Sequence, residues 1–169
     1  AAAELRLQAR GPTWRSWHPR DWAEPLALIE RALQLDPDNP DALIESARLH
    51  LIPTFLGPVK DVEATLARID AQLARALAAE PSNARGHYVV CMLRRQQGRL
   101  EESRQAGERA LELQPDMVLA LTNLGEALLL RARPADALAP LHRALEVSPR
   151  DPTRGVAWLR SGRAHALLG

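Results

Sequence analysis

The sequence predicts an all-α solenoid of stacked antiparallel helix pairs, and three observations predict it. The first is a phrase written four times: Arg31-Ala32-Leu33 before Pro37, Arg75-Ala76-Leu77 before Pro81, Arg109-Ala110-Leu111 before Pro115, and Arg143-Ala144-Leu145 before Pro149. The second is the period. Pro81, Pro115 and Pro149 lie 34 residues apart, whereas Pro37 and Pro81 lie 44 apart, one period plus ten inserted residues. A fixed period of this length marks two-helix units that stack on their neighbours instead of closing around one core. The third is composition: aromatic residues are 4% of a chain that is 46% apolar. Alanine and leucine therefore fill the apolar positions, which suits closely packed helices better than sheets.

The elements follow in order. Residues 2–10 have helical composition, closed by Gly11-Pro12. A loop with Trp14, Trp17 and Trp22 comes next, read as a cap over the end of the stack, with a binding surface as the alternative because clustered Trp and Arg form energetic anchors. Asp21 can cap a helix over 22–35, and Pro25 is tolerated in its first turn, where amides lack partners anyway. Asp36-Pro37-Asp38-Asn39-Pro40-Asp41 is a turn that opens a helix over 41–51. The extra residues then lengthen the loop inside this pair, an insertion placed at 52–60 that includes Phe55. Asp61 caps the next helix, to about Glu80. Ser82 or Asn83 caps a helix to Gln97, which Gly98 ends, and a second helix spans 100–113. The next unit repeats this over 116–131 and 134–147, with Pro140 expected to kink the latter. One more helix, 153–168, closes the chain. Gly169 stands where Gly98 ends its helix, so the last unit lacks its second helix and leaves Trp158 and Leu167 or Leu168 uncovered. About four units result, 23–169, after an atypical start at 1–22.

The repeated phrase explains itself by packing. Aligned on their prolines, the units put Ala42, Gly86, Ala120 and Ala157 in one column and Ala47, Cys91, Gly125 and Gly162 in another. Small side chains let two helix axes approach toward about 8 Å. Ala32, Ala76, Ala110 and Ala144 are the reciprocal contacts and Leu33, Leu77, Leu111 and Leu145 the core residues beside them. The arginines of the phrase recur in every copy, which argues for stems lying on a solvated face and against a single active site.

Several classes of function are disfavoured by composition. The formal net charge of +1 supplies no basic field for nucleic acid or an anionic membrane. Apolar runs are broken well short of about 18 residues, so no membrane span is expected. One cysteine, Cys91, makes no internal disulfide, and a reducing cytoplasm is the simplest compartment. The histidines at 18, 50, 87, 142 and 165 show no metal-ligand spacing, no glycine-rich phosphate loop is present, and Glu101-Glu102 suits a helix start. No catalytic residue, cofactor or metal is expected. Lys60 is the only lysine among 22 basic residues, which suggests a GC-rich bacterial genome. The start at Ala1-Ala2-Ala3 without methionine suggests a piece of a longer protein.

The pattern resembles the tetratricopeptide repeat, a 34-residue helix-turn-helix unit, over residues 23–169. Leu121-Thr-Asn-Leu-Gly125 with Ala137, Leu141, Ala144 and Pro149 follows the family signature, and Trp158, Gly162, His165 and Gly169 follow its opening half, with Ser161 where leucine is usual. His87 and Cys91 depart from it, as do Gly107 and the insertion after Leu51. The resemblance implies a superhelix whose first helices line a concave groove for a peptide or a partner helix. Carried over by alignment, the groove residues are Ile44, Arg48, Arg85, Tyr88, Met92, Arg95, Thr122, Asn123, Glu126, Leu129, Arg160 and Arg163, basic and apolar together. A segment offering a carboxylate and apolar side chains fits that character. The lysines of the family's chaperone-tail clamp are absent, although Asn123 matches one of its asparagines. Trp14, Trp17, Trp22 and Phe55 form a secondary surface.

Arg150-Asp-Pro, the Trp-containing helix start and Gly162-Arg-Ala-His-Ala-Leu-Leu-Gly169 also resemble the repeat regions of bacterial class III adenylate or guanylate cyclases and related winged-helix regulators. The expected function is a non-catalytic, cytoplasmic protein-interaction scaffold within a larger bacterial signalling protein. The alternatives are a regulatory or substrate-recruiting arm of an enzyme such as a nucleotide cyclase, and self-association through the open solenoid ends.

Overall fold

A computed structural model describes residues 4, 22–57, 59–147 and 153–169, and every described element is a helix. The eight helices are α1 (Ala23–Leu35), α2 (Pro40–Leu56), α3 (Val62–Ala79), α4 (Ala84–Gln96), α5 (Leu100–Leu113), α6 (Val118–Leu130), α7 (Pro134–Val147) and α8 (Arg154–Leu168). They form two compact units, Ala1–Ser82 and Asn83–Gly169. The expected helix at 2–10 and the loop carrying Trp14, Trp17 and Asp21 lie outside the described residues apart from Glu4, as does the turn at 148–152.

In the first unit α2 packs against both α1 and α3. Amphipathic faces make this possible: Pro25, Ile29 and Ala32 are the buried positions of α1, and Ile69, Leu73 and Ala76 those of α3. Between them α2 is buried without interruption from Ala42 to Leu49. Its polar members are satisfied locally. Arg48 donates to Glu45 at 2.5 and 3.1 Å, and Gln72 on α3 donates to Ser46 Oγ at 3.2 Å.

The insertion corrects the sequence reading. Its first residues do not form a loop: α2 runs on to Leu56 through Pro53, more than a turn beyond the expected end. Leu51 and Thr54 are buried, and the Thr54 hydroxyl donates to Leu51 O at 2.7 Å, so packing and a side-chain bond offset the amide that proline lacks. Asp61, at φ +55°, then caps α3 by accepting from Ala64 N at 3.1 Å.

The second unit follows the expected boundaries within two residues. Its helices pack in sequence, α4 on α5, α5 on α6, α6 on α7 and α7 on α8, with the first helices α4, α6 and α8 also touching in succession. Asn83 caps α4 through Gly86 N at 3.1 Å. Gly98 ends it at φ +74° and its counterpart 34 residues on, Ala132, adopts φ +55°. The backbone closes alike at both places, Arg99 N to Arg94 O at 2.8 Å and Arg133 N to Leu128 O at 3.0 Å.

The small-residue columns do bring helices close. Ala120, Ala110, Ala144 and Cys91 are fully buried or nearly so. A β-carbon on Gly125 would stand 2.6 Å from the Leu141 side chain on α7, and one on Gly107 would stand 3.3 Å from Cys91 Sγ and 3.4 Å from Leu124 Cβ. Gly107 thus lets α5 approach two neighbours at once.

The arginines of the phrase are exposed as expected, yet two of them do more than lie on solvent. Arg75 on α3 donates to Asp38 at 2.5 Å and to Pro37 O at 3.1 Å, and Arg143 on α7 donates to Asp116 at 2.6 Å. Each ties the end of a second helix to the Pro-Asp turn before its own first helix. The middle pair has Pro81-Ser82 at that turn, with no carboxylate, and Arg109 pairs along its own helix with Glu112 instead. Such exposed pairs contribute at most about 1 kcal/mol each.

Candidate protein-binding surface

The expected groove residues divide between the two units. Ile44 and Arg48 belong to the first, where both are buried and Arg48 is held by Glu45. The other ten lie on α4, α6 and α8 of the second unit.

Four of those ten are joined by direct bonds. Glu126 on α6 accepts Arg160 at 3.1 Å through one oxygen and Arg163 at 3.0 Å through the other, both from α8. Arg160 also donates to Thr122 O at 2.9 Å. The arginine spacing explains the fork: Arg160 and Arg163 are one helical turn apart, so one carboxylate on the facing helix reaches both. Glu126 is 12% exposed, Arg160 16% and Arg163 46%, so the cluster opens to solvent at Arg163.

Electrostatics link α4 to the same cluster. Burial lowers the Arg160 pKa to about 10; Glu126 opposes that shift, and the like charge of Arg95 on α4 adds to it. Arg160 and Arg163 thus outnumber the one glutamate they share and leave the fork net positive. Cys91 lies behind it, fully buried, with its thiol pKa raised by burial. Its carbonyl accepts Ser103 Oγ at 2.8 Å. A protonated, enclosed thiol is a packing group, not a nucleophile.

The remaining expected residues are mostly packed. Tyr88, Met92, Thr122, Asn123 and Leu129 are buried, and Arg85 is half-buried. Asn123 turns its amide back to Leu119 O at 2.9 Å and Thr122 its hydroxyl to Val118 O at 2.7 Å, so both polar ends bond to their own helix. On the secondary surface, Trp22 is buried at the start of α1 and Phe55 half-buried on α2, while Trp14 and Trp17 lie outside the described residues. Among the described residues no group of three or more His, Cys, Asp or Glu is placed to hold a metal ion. No described helix is long and apolar enough to cross a membrane. Sequence reasoning did not reach the Glu126 fork, although Glu126 with Arg160 one period later and Arg163 three residues beyond that carried its signal.

Residues 70–118 and 92–154 match the tetratricopeptide repeat model, together spanning half of the chain. The chain belongs to the tetratricopeptide repeat family. Solved structures agree on the fold. TTC0263, a tetratricopeptide repeat protein of Thermus thermophilus, is 19% identical over 99% of this chain and 99% of its own, with a TM-score of 0.59. The first tetratricopeptide repeat domain of human RPAP3 is 19% identical over 78% of this chain and 92% of its own, also at 0.59. PilF of Pseudomonas aeruginosa is 20% identical over 98% of this chain and 74% of its own, at 0.66. No curated protein matches the sequence. The tetratricopeptide fold is a scaffold for protein–protein interaction, and the first helices of the second unit carry the charged cluster on that scaffold.

Proposed function

We propose that the Arg95, Arg160, Arg163 and Glu126 cluster is where this scaffold takes a partner segment that offers a carboxylate beside apolar side chains. The observation that carries the reading is the fork itself: one glutamate shared by two arginines, with a third arginine close enough to lower the pKa of Arg160. Glu126 orients the guanidinium groups, and the excess positive charge favours an incoming acid. A charge-assisted hydrogen bond to such a group contributes about 1.5–3 kcal/mol. The partner's apolar side chains lie beside the partly exposed stems. The predominance of arginine over lysine supports a GC-rich bacterial origin for this scaffold.

Peptides selected on the chain from a random displayed library test the proposal. They should be enriched in Asp or Glu beside apolar residues. The double variant Arg95→Glu/Arg163→Glu should bind them at least about tenfold more weakly, the equivalent of one such hydrogen bond. Selection without acidic enrichment, or an affinity indifferent to the charge reversal, overturns it.

A further inference from the structure

Three turns of the chain share one shape, Pro37-Asp38-Asn39, Pro81-Ser82-Asn83 and Pro115-Asp116-Met117, and each leads into a first helix. In two of them the acid is taken by an arginine of the repeated phrase, on the second helix of the same pair: Asp38 by Arg75 at 2.5 Å and Asp116 by Arg143 at 2.6 Å. Arg109 on α5 has that place in the middle pair. The same 27 residues that separate Arg143 from Asp116 separate Arg109 from Ser82. What the middle turn lacks is the anion. Ser82 is exposed, and Asn83, not Ser82, caps α4 by accepting from Gly86 N at 3.1 Å. Arg109 is exposed as well and bonds at 2.8 Å to Glu112, one turn along its own helix. The middle turn is therefore an arginine clip whose acid position holds a hydroxyl.

We infer that Ser82 is a phosphorylation site, modified by an ATP-dependent protein-serine kinase, and that the phosphate closes the third clip on Arg109. In the transfer the Ser82 hydroxyl oxygen bonds to the γ-phosphorus of ATP and the bond from that phosphorus to the bridging oxygen breaks. ADP leaves with the electron pair, and the hydroxyl proton passes to a base of the kinase. Phosphoserine holds its charge one bond further from the backbone than aspartate does. It also holds more of it, about −1.5 to −2 at pH 7, on three acceptor oxygens that suit a guanidinium. An arginine that reaches an aspartate from this place therefore reaches a phosphoserine. Release from Glu112 costs little, because both groups of that pair are exposed. The position one residue before the cap of α4 adds to the attraction, since the amides of the first helical turn favour negative charge. The two aspartate clips are permanent, whereas the serine clip is made only when the phosphate is transferred. It ties α5 to the start of α4, the helix that carries Tyr88, Met92 and Arg95.

The clip is tested on the 169-residue chain made with phosphoserine encoded at position 82. It should melt about 2–4 °C above the unmodified chain, and Arg109→Gln should remove that gain while shifting the unmodified chain by less than about 1 °C. In a phosphorus NMR titration the phosphate, whose second pKa is ordinarily about 6, should titrate lower with Arg109 present than in Arg109→Gln. Absence of a gain, a gain indifferent to Arg109→Gln, or an equal pKa in both chains overturns the clip. The modification itself is read by mass spectrometry of the protein isolated from the cells that make it. Trypsin releases the peptide 76–85, in which Ser82 is the only hydroxyl residue. That peptide should carry one phosphate in a fraction of the molecules. A peptide without phosphate in growing and in starved cells alike overturns the site.

Discussion

α6 and α8 hold the same place in the repeat and carry a glycine in the same column, yet ten of the thirteen residues of α6 are buried against three of the fifteen of α8. The glycines show what the difference means. At Gly125 the approach of Leu141 leaves no room for a β-carbon, whereas at Gly162 nothing stands within 4 Å. A small residue in a repeat column is therefore not by itself a packing requirement. It becomes one where a neighbouring helix presses a large side chain onto it.

The largest effect expected from this comparison is at the side chain that does the pressing. Leu141 is fully buried in the cluster with Leu124, Leu128, Leu129, Ala137 and Ala164. Leu141→Ala should lower stability by about 2–5 kcal/mol, through lost burial and the cavity left behind. Leu159→Ala, the same change on the open face of α8, should stay within about 0.5 kcal/mol of the parent. Urea midpoints of the two variants measure the contrast, and comparable losses would mean that α8 is covered in solution.

Next is the glycine under Leu141. Gly125→Ala gains about 1 kcal/mol of helix propensity but puts a β-carbon 2.6 Å from both Cγ and Cδ2 of Leu141. Cγ is not a free end that swings aside, so the branch of the side chain or the whole of α7 must shift. Overpacking of this kind costs about 1–3 kcal/mol, and a net loss is expected. A thermal melt that rises instead would show that α7 can slide along α6 without penalty.

Much of this architecture was legible in the sequence because helix boundaries and repeat columns depend on local chemistry. Asn83, Asp61 and Gly98 stop or start helices through their own side chains or φ angles, and they do so where expected. The extension of α2 was not legible. Pro53 and Gly57 read as loop residues, and only the burial of Leu51 and Thr54 decides otherwise. The Arg75 and Arg143 clips were half legible: the arginines recur, but their partners are the acids after Pro37 and Pro115, 37 and 27 residues away in the chain. The candidate site shows the same limit. Alignment named Thr122, Glu126, Arg160 and Arg163 together, but the inward turn of Thr122 and Asn123 onto their own helix and the burial of Tyr88 and Met92 depend on neighbours that periodicity does not specify.

The smallest effect has the opposite sign and sharpens the comparison most. Gly162→Ala adds a β-carbon into open space in the interior of a helix, so it should gain about 0.5–1 kcal/mol from the restricted unfolded chain and the better helix former. The same substitution thus lowers stability at position 125 and raises it at position 162. Differential melting at low micromolar concentration isolates the contribution of the helix itself. A loss at Gly162 under those conditions would mean that a side chain or helix lies over α8 in the monomer, and the distinction between the two glycines would fall.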